Sequence, residues 1–315
     1  MLLMSGCIPD ASHDNPVDPD SKAFSNSGTL SGNVLSFYQP YLGISGALVT
    51  IQPSGIAGWT NSAGVFSIRG IPPGNARIIA SHAGYLTDSL DTKTTVGGDA
   101  KVDIHLDAIP VVGVCQAVTR KIDQWWPHAV YSASITGTVT DPDGLGDVVG
   151  ATLQVDTMRI ALTYAPSQQV FQATVDAASL PQGNLEWLVG KSLSITARDR
   201  IGAIAVGKPF SVTRIIQDAP IPLSPTALDT ASASPQLFWA QPTLLFPYSY
   251  RLELFRLDQG VPSLLWSLSN LSPSLSGYHY TDVLTTGTFF WTISVVDEFG
   301  NLSRSKEASF VVIGQ

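Results

Sequence analysis

The run Thr288-Phe289-Phe290-Trp291-Thr292-Ile293-Ser294-Val295 sets the terms for the whole chain. Side chains alternate across an extended backbone, so Phe289, Trp291, Ile293 and Val295 share one face, the pattern of a half-buried strand. Shorter runs of the same kind recur: Ala47, Val49 and Ile51; Phe66 and Ile68; Ser134 to Val139. Clusters of Gly, Pro, Asn and Asp separate them, such as Asn61-Ser62-Ala63-Gly64 and Ile71-Pro72-Pro73-Gly74. Pro presets φ and Gly takes positive φ, so these clusters are turns. No stretch sustains a 3.6-residue apolar period. The chain is therefore expected to be all-β, with strands joined by turns into sandwiches.

Length and composition allow several such sandwiches. A chain of 315 residues has room for two or three domains. It is 44% hydrophobic and only 13% charged, which marks it as folded rather than disordered. The formal charge of -8 gives no attraction to phosphate backbones, so nucleic acid is not an expected partner. No run of about 18 apolar residues is present to span a bilayer as a helix.

The expected organisation is a tether over residues 1–27 and three tandem β-sandwich modules over 28–108, 109–217 and 218–315. Residues Ile8 to Ser27 are rich in Pro, Asp, Asn and Ser and are expected to be disordered. About 20 such residues would span roughly 25 Å as a flexible coil. Met4-Ser5-Gly6-Cys7, behind an apolar Met1-Leu2-Leu3, resembles the lipobox of bacterial lipoproteins. That resemblance implies lipidation of Cys7 and an N-terminal membrane anchor. Ile8 in place of Asp after the Cys then points to the outer membrane. The other cysteine, Cys115, lies in an apolar run and is expected to be a small buried hydrophobe.

In the first module, Gly32-x-Val34, Gly46-Ala47-x-Val49, Gly64-x-Phe66-x-Ile68, Ile71-Pro72-Pro73-Gly74 and Gly84-Tyr85 resemble the carboxypeptidase regulatory-like domain. The resemblance implies a small transthyretin-like sandwich, an accessory fold without catalytic residues or a zinc site. Trp59 and Tyr85 are expected to pack in it. The second module weakly resembles bacterial immunoglobulin-like domains. The third opens on a Pro-rich hinge, Ala219 to Pro225. Trp239, the Tyr250-x-Leu252-x-Leu254 run and the closing Asp297-x-x-Gly300-Asn301 turn make it resemble a fibronectin type III domain. An internal echo links the last two modules. Ile195 to Gly202 repeats Ile293 to Gly300, with Asp and Gly at the same offsets.

A search for chemistry finds no G-x-S-x-G elbow, H-E-x-x-H motif, P-loop or dinucleotide fingerprint. The five His are scattered singly, with His82 and His105 in strand patterns, and no catalytic residue is assigned. Two binding readings remain. Trp125-Trp126, followed by Pro127-His128, would present one ring on each side of a strand, a candidate platform for sugar rings. Asp141-Pro142-Asp143-Gly144-Leu145-Gly146-Asp147 puts three carboxylates in seven residues and invites calcium; no other cofactor is expected. As an EF-hand loop it fails, with Leu145 at position 5 and Thr152 where the bidentate Glu belongs. An Asx-rich turn is the simpler account. The functional expectation is a non-enzymatic envelope lipoprotein, a spacer or assembly module contacting other envelope proteins. A polysaccharide-binding component and a calcium-stabilised adhesin segment are the alternatives.

Overall fold

The alternating runs fold as strands. The computed structural model describes Asp18 and residues 26–314, so Cys7 and most of the expected tether lie outside the described residues. The first strands are β1 (Gly28–Ser36), β2 (Leu48–Gln52), β3 (Ile56–Trp59), β4 (Val65–Ile71), β5 (Gly74–Ser81), β6 (Asp88–Thr94) and β7 (Asp99–Leu106). Then follow β8 (Val111–Ile122), β9 (Val130–Thr140), β10 (Val148–Val155), β11 (Met158–Ala165), β12 (Val170–Asp176), β13 (Leu193–Asp199) and β14 (Ile204–Val206). The chain closes with β15 (Ile221–Ser224), β16 (Asp229–Ala231), β17 (Gln236–Ala240), β18 (Tyr248–Asp258), β19 (Val261–Leu271), β20 (Gly277–His279), β21 (Gly287–Asp297), β22 (Leu302–Arg304) and β23 (Ala308–Val312). Among the described residues the only helical pieces are short 3-10 turns, and no helix is long and apolar enough to cross a membrane. The fold is all-β and built of sandwich sheets, as the alternation requires.

The chain divides into two compact units. The first contains the residues up to Val111 together with two loops, Thr140–Val149 and Arg198–Ala205. Its sheets run β4-β1-β7 and β3-β2-β5-β6. Between them lie Leu30, Val34, Val49, Ile51, Phe66 and Ile104, each almost fully buried. Two glycines are dictated by close approach. A Cβ on Gly32 would stand 1.6 Å from the Val102 carbonyl oxygen, across the parallel β1–β7 pair. Gly64 has φ +78° and sits against the backbone of Gly43. Tyr85 packs on the core as expected, but Trp59 does not: it ends the edge strand β3 and is 68% exposed.

The second unit holds Val112–Val139, Gly150–Ala197 and Val206 onward. One long sheet runs β13-β10-β11-β12-β9-β8-β22-β21-β18-β19, and β8 meets β22 in a parallel pair. A smaller sheet, β15-β17-β20, lies in the same unit. The predicted face of β21 is the heart of the core here. Phe289, Trp291, Ile293 and Val295 are buried with Trp239, Tyr250 and Phe310. Trp291 Nε1 donates to the Pro225 carbonyl at 2.9 Å, so its polar edge is satisfied. The expected Pro-rich hinge is instead strand β15, paired with β17 from Ile221 opposite Ala240. Proline is tolerated there because the strand is at a sheet edge. Cys115 is half-buried rather than buried, and desolvation pushes its thiol up from the ordinary value.

Gly32→Ala is expected to destabilise the first unit by about 1–3 kcal/mol, since a methyl group must displace β7 backbone rather than a flexible side chain. Urea unfolding followed by far-ultraviolet circular dichroism measures this; unchanged stability would show that β7 yields freely.

Candidate metal centre

Turn chemistry brings five aspartates together in the first unit. Asp107 follows the last residue of β7. Asp141 and Asp143 lie in the turn after β9, and Asp147 ends the 3-10 turn Leu145–Asp147 before β10. Asp199 is the last residue of β13. Asp141 Oδ1 accepts from the Asp143 N–H at 2.9 Å, which is the Asx turn its sequence suggests. Gly144 takes φ +102°, and its N–H returns to the Asp141 carbonyl at 2.9 Å. Asp199 Oδ1 accepts from the N–H groups of Gly202 at 2.6 Å and Ala203 at 2.7 Å. Asp143 Oδ2 takes the Ala108 N–H at 2.8 Å, and Tyr38 donates its hydroxyl to Asp147 Oδ1 at 2.7 Å.

The side-chain bonds among these hold four of the carboxylates by one oxygen each, and Asp107 receives none. Both oxygens of Asp107, and Oδ2 of Asp141, Asp147 and Asp199, are buried without a hydrogen-bond partner. Asp107 is 4% exposed, Asp147 4% and Asp199 1%. Ligand oxygens of Asp107, Asp147 and Asp199 lie within 4.8 Å of one another, and so do those of Asp141, Asp143 and Asp147. Among the described residues no Lys or Arg forms an ion pair with any of the five. Two ionised carboxylates at that spacing repel by about 3.5 kcal/mol at an effective dielectric constant of about 20.

The electrostatics register the crowding. Burial first, and then the charges of Asp199, Asp147, Asp143 and Asp141, push the Asp107 carboxyl up to about 7. Burial also raises Asp141 to about 6, with the Asp143 N–H pulling the other way. The hydrogen bond to Asp147 pushes Tyr38 up to about 12, with burial adding to it. An all-oxygen, all-carboxylate set suits a hard divalent cation. Calcium takes 6–8 oxygens at 2.3–2.6 Å in flexible geometry, and two such bonds span the spacing seen here. Zinc, which favours nitrogen and sulfur, finds neither.

The sequence pointed to Asp141, Asp143 and Asp147, and the structure adds Asp107 and Asp199. Their separation along the chain hid them. The signal that could have found Asp199 is the internal echo, since its turn repeats the one that begins at Asp297. The histidines take no part: His105 Nδ1 lies 3.0 Å from the Ser36 carbonyl, and His82 Nδ1 2.7 Å from that of Ala83. His82 follows β5 rather than lying in a strand.

Trp125 and Trp126 sit elsewhere, in the second unit. They are in the loop between β8 and β9 rather than on a strand, so both are exposed, at 69% and 84%. Trp125 donates Nε1 to the Glu307 carbonyl at 2.9 Å, and the Lys306 ammonium stands 3.9 Å from its ring centre. It lines a groove of about 440 Å³ in which it is the sole aromatic residue, among Asp123, Asp218 and Glu307.

Without a cation, stability should fall with rising pH. The folded chain holds the Asp107 proton up to about 7, whereas an unfolded Asp releases it near 4. Folding therefore takes up a proton across that window, and the contribution present at acid pH is lost as the pH climbs through it. In chelator, the melting temperature should drop from pH 5 to pH 8, and Asp107→Asn should flatten that dependence. A wild-type profile already flat in this range would mean that Asp107 is not perturbed.

The family model for the carboxypeptidase regulatory-like domain matches residues 29–107, which span β1 to the first aspartate of the cluster. No curated protein matches the sequence. Among solved structures, the chain is similar to BcpA, the major pilin subunit of Bacillus cereus. That match has 11% identity and a TM-score of 0.32, over 92% of this chain and 93% of the other. It is also similar to the FN1-FN3 domains of chicken CNTN1, with 10% identity and a TM-score of 0.34, over 92% of this chain and 96% of the other. The segment from Thr29 to Asp107 thus carries a match to the carboxypeptidase regulatory-like domain.

Proposed function

We propose that the chain is a non-enzymatic structural module of the cell envelope whose first unit is held together by bound calcium. The observation that carries this reading is Asp107, a buried carboxylate with neither oxygen partnered, aimed at Asp147 and Asp199. A cation there joins the end of β7 to the turns after β9 and β13. A buried charge without a partner is strongly destabilising, and the same charge on a metal is not. The chemistry offered is ligation: the group contains carboxylates and one tyrosine, with no paired nucleophile and base.

Envelope location rests on the resemblance of Met4-Ser5-Gly6-Cys7 to a lipobox, and implies a lipid anchor at Cys7 and neighbouring envelope proteins as partners. A polysaccharide partner has weaker support. Its candidate platform offers one aromatic ring in the groove, with Lys306 already against it.

Calcium at about a hundred times its dissociation constant stabilises the state that binds it by about 2.7 kcal/mol. For a unit of this size that is a rise in melting temperature on the order of 10 °C. Asp199→Asn should abolish the rise while leaving the chelated protein at least as stable, because it removes a buried charge. No calcium response in the wild type would overturn the reading. For the anchor, intact mass spectrometry on protein from native membranes should show a chain beginning at a lipid-modified Cys7. An unmodified Cys7 on protein recovered from the soluble fraction would remove the envelope assignment.

A further inference from the structure

The five carboxylates form two overlapping groups. Asp107, Asp147 and Asp199 are all buried, while Asp141 and Asp143 are partly exposed and share only Asp147 with the first group. Within each group the ligand oxygens stand within twice a calcium–oxygen bond of one another. Asp141 and Asp143 are not so placed relative to Asp107 and Asp199. A single ion seated among the buried three therefore leaves Asp141 and Asp143 outside its first coordination sphere. It also leaves three negative charges of five uncompensated, with no ion-paired Lys or Arg among the described residues to offset them. Arg200, whose charge lowers the Tyr38 pKa, is exposed and forms no ion pair with any of the five among the described residues.

We infer that the centre takes two calcium ions, an inner one on Asp107, Asp147 and Asp199 and an outer one on Asp141, Asp143 and Asp147, with Asp147 bridging them. This rests on the calcium reading above and extends it. The bridging geometry is prepared by hydrogen bonding. Tyr38 fixes Asp147 Oδ1 from one side, Asp147 Oδ2 is free and buried, and Asp141 Oδ2 is likewise unpartnered. The two positions differ in access. The inner ion is enclosed by side chains each at least nine-tenths buried. Asp143 also lines a cleft of about 360 Å³ with Tyr38, Tyr85, His82 and Pro142, so the outer ion completes its sphere with water from that side. The inner position is thus structural and the outer one exchangeable.

The test is calcium titration of the decalcified full-length protein by calorimetry, with native mass spectrometry to count ions. Wild type should bind two, the second at least tenfold more weakly. Asp141→Asn, which keeps an oxygen acceptor for the Asp143 N–H, should lose the weaker ion and retain the melting-temperature rise. Asp107→Asn should lose the tight one, and Asp147→Asn should weaken both. Circular dichroism of each variant in chelator checks folding, and Asp141→Asn suffices should the buried variants not fold. A stoichiometry of one, abolished equally by Asp141→Asn and Asp107→Asn, would overturn the two-ion centre and leave calcium stabilisation intact. No bound calcium at all would overturn both.

Discussion

The crowding of five carboxylates is the constraint on one end of the first unit, where Asp107, Asp147 and Asp199 are buried together. The turns that present them are well formed on their own terms: each Asp side chain that caps backbone N–H groups does so with one oxygen. What those caps do not supply is a counter-charge. The backbone thus fixes the positions of the charges without neutralising them, and a cation, as proposed above, would supply what the caps do not.

The second unit contains its own control. The Asp297 turn resembles the Asp199 turn: Asp297 Oδ1 accepts from the N–H groups of Phe299 and Asn301, two and four residues on, where Asp199 Oδ1 accepts from those three and four residues on. There the remaining oxygen is met by Arg214 Nη1 at 2.8 Å and by Asn301 Nδ2 at 3.0 Å. Asn301 is itself fully buried and receives the Thr119 N–H at 2.8 Å, tying the turn to β8. One turn is neutralised by a side chain within the chain. The other, with an equivalent Asp, faces two more aspartates instead. The local motif is the same, and the difference lies in what the rest of the fold delivers to its open oxygen.

How far the sequence could be read follows from which interactions are local. Alternation is local, so the buried faces of β2, β4 and β21 were legible residue by residue. Turn chemistry is local too, and the Asp141–Asp147 loop was recognised as both an Asx turn and a cluster of carboxylates. Exposure is not. Trp59 lies on an edge strand and is largely exposed, whereas the resemblance to a small sandwich implied that it packs. For Trp125 and Trp126 only the strand placement differs: they lie in a loop, where alternation does not apply and both rings are exposed. The Ala219 to Pro225 stretch reads as a hinge only until one asks whether its prolines fall at a sheet edge. Asp107 and Asp199 are separated from the central loop by more than thirty residues each, and no pattern within a module places them beside it.

Neutralising Asp297 with Arg214 and Asp199 with a diffusible ion has different physical consequences. A resident guanidinium is always charged and always present, so the second unit's turn is insensitive to its surroundings. A bound ion stabilises by an amount that follows its concentration, through the logarithm of one plus the ratio of free ion to dissociation constant. On the calcium reading proposed above, the first unit is firm where calcium is plentiful and loosened where it is scarce, with the Asp107 proton as the substitute that partly relieves the charge. Extracellular calcium modules work at dissociation constants of about 10⁻⁴–10⁻³ M. A stability that follows calcium requires what is seen here: charged ligands preset by turns and, among the described residues, no Lys or Arg ion-paired with them.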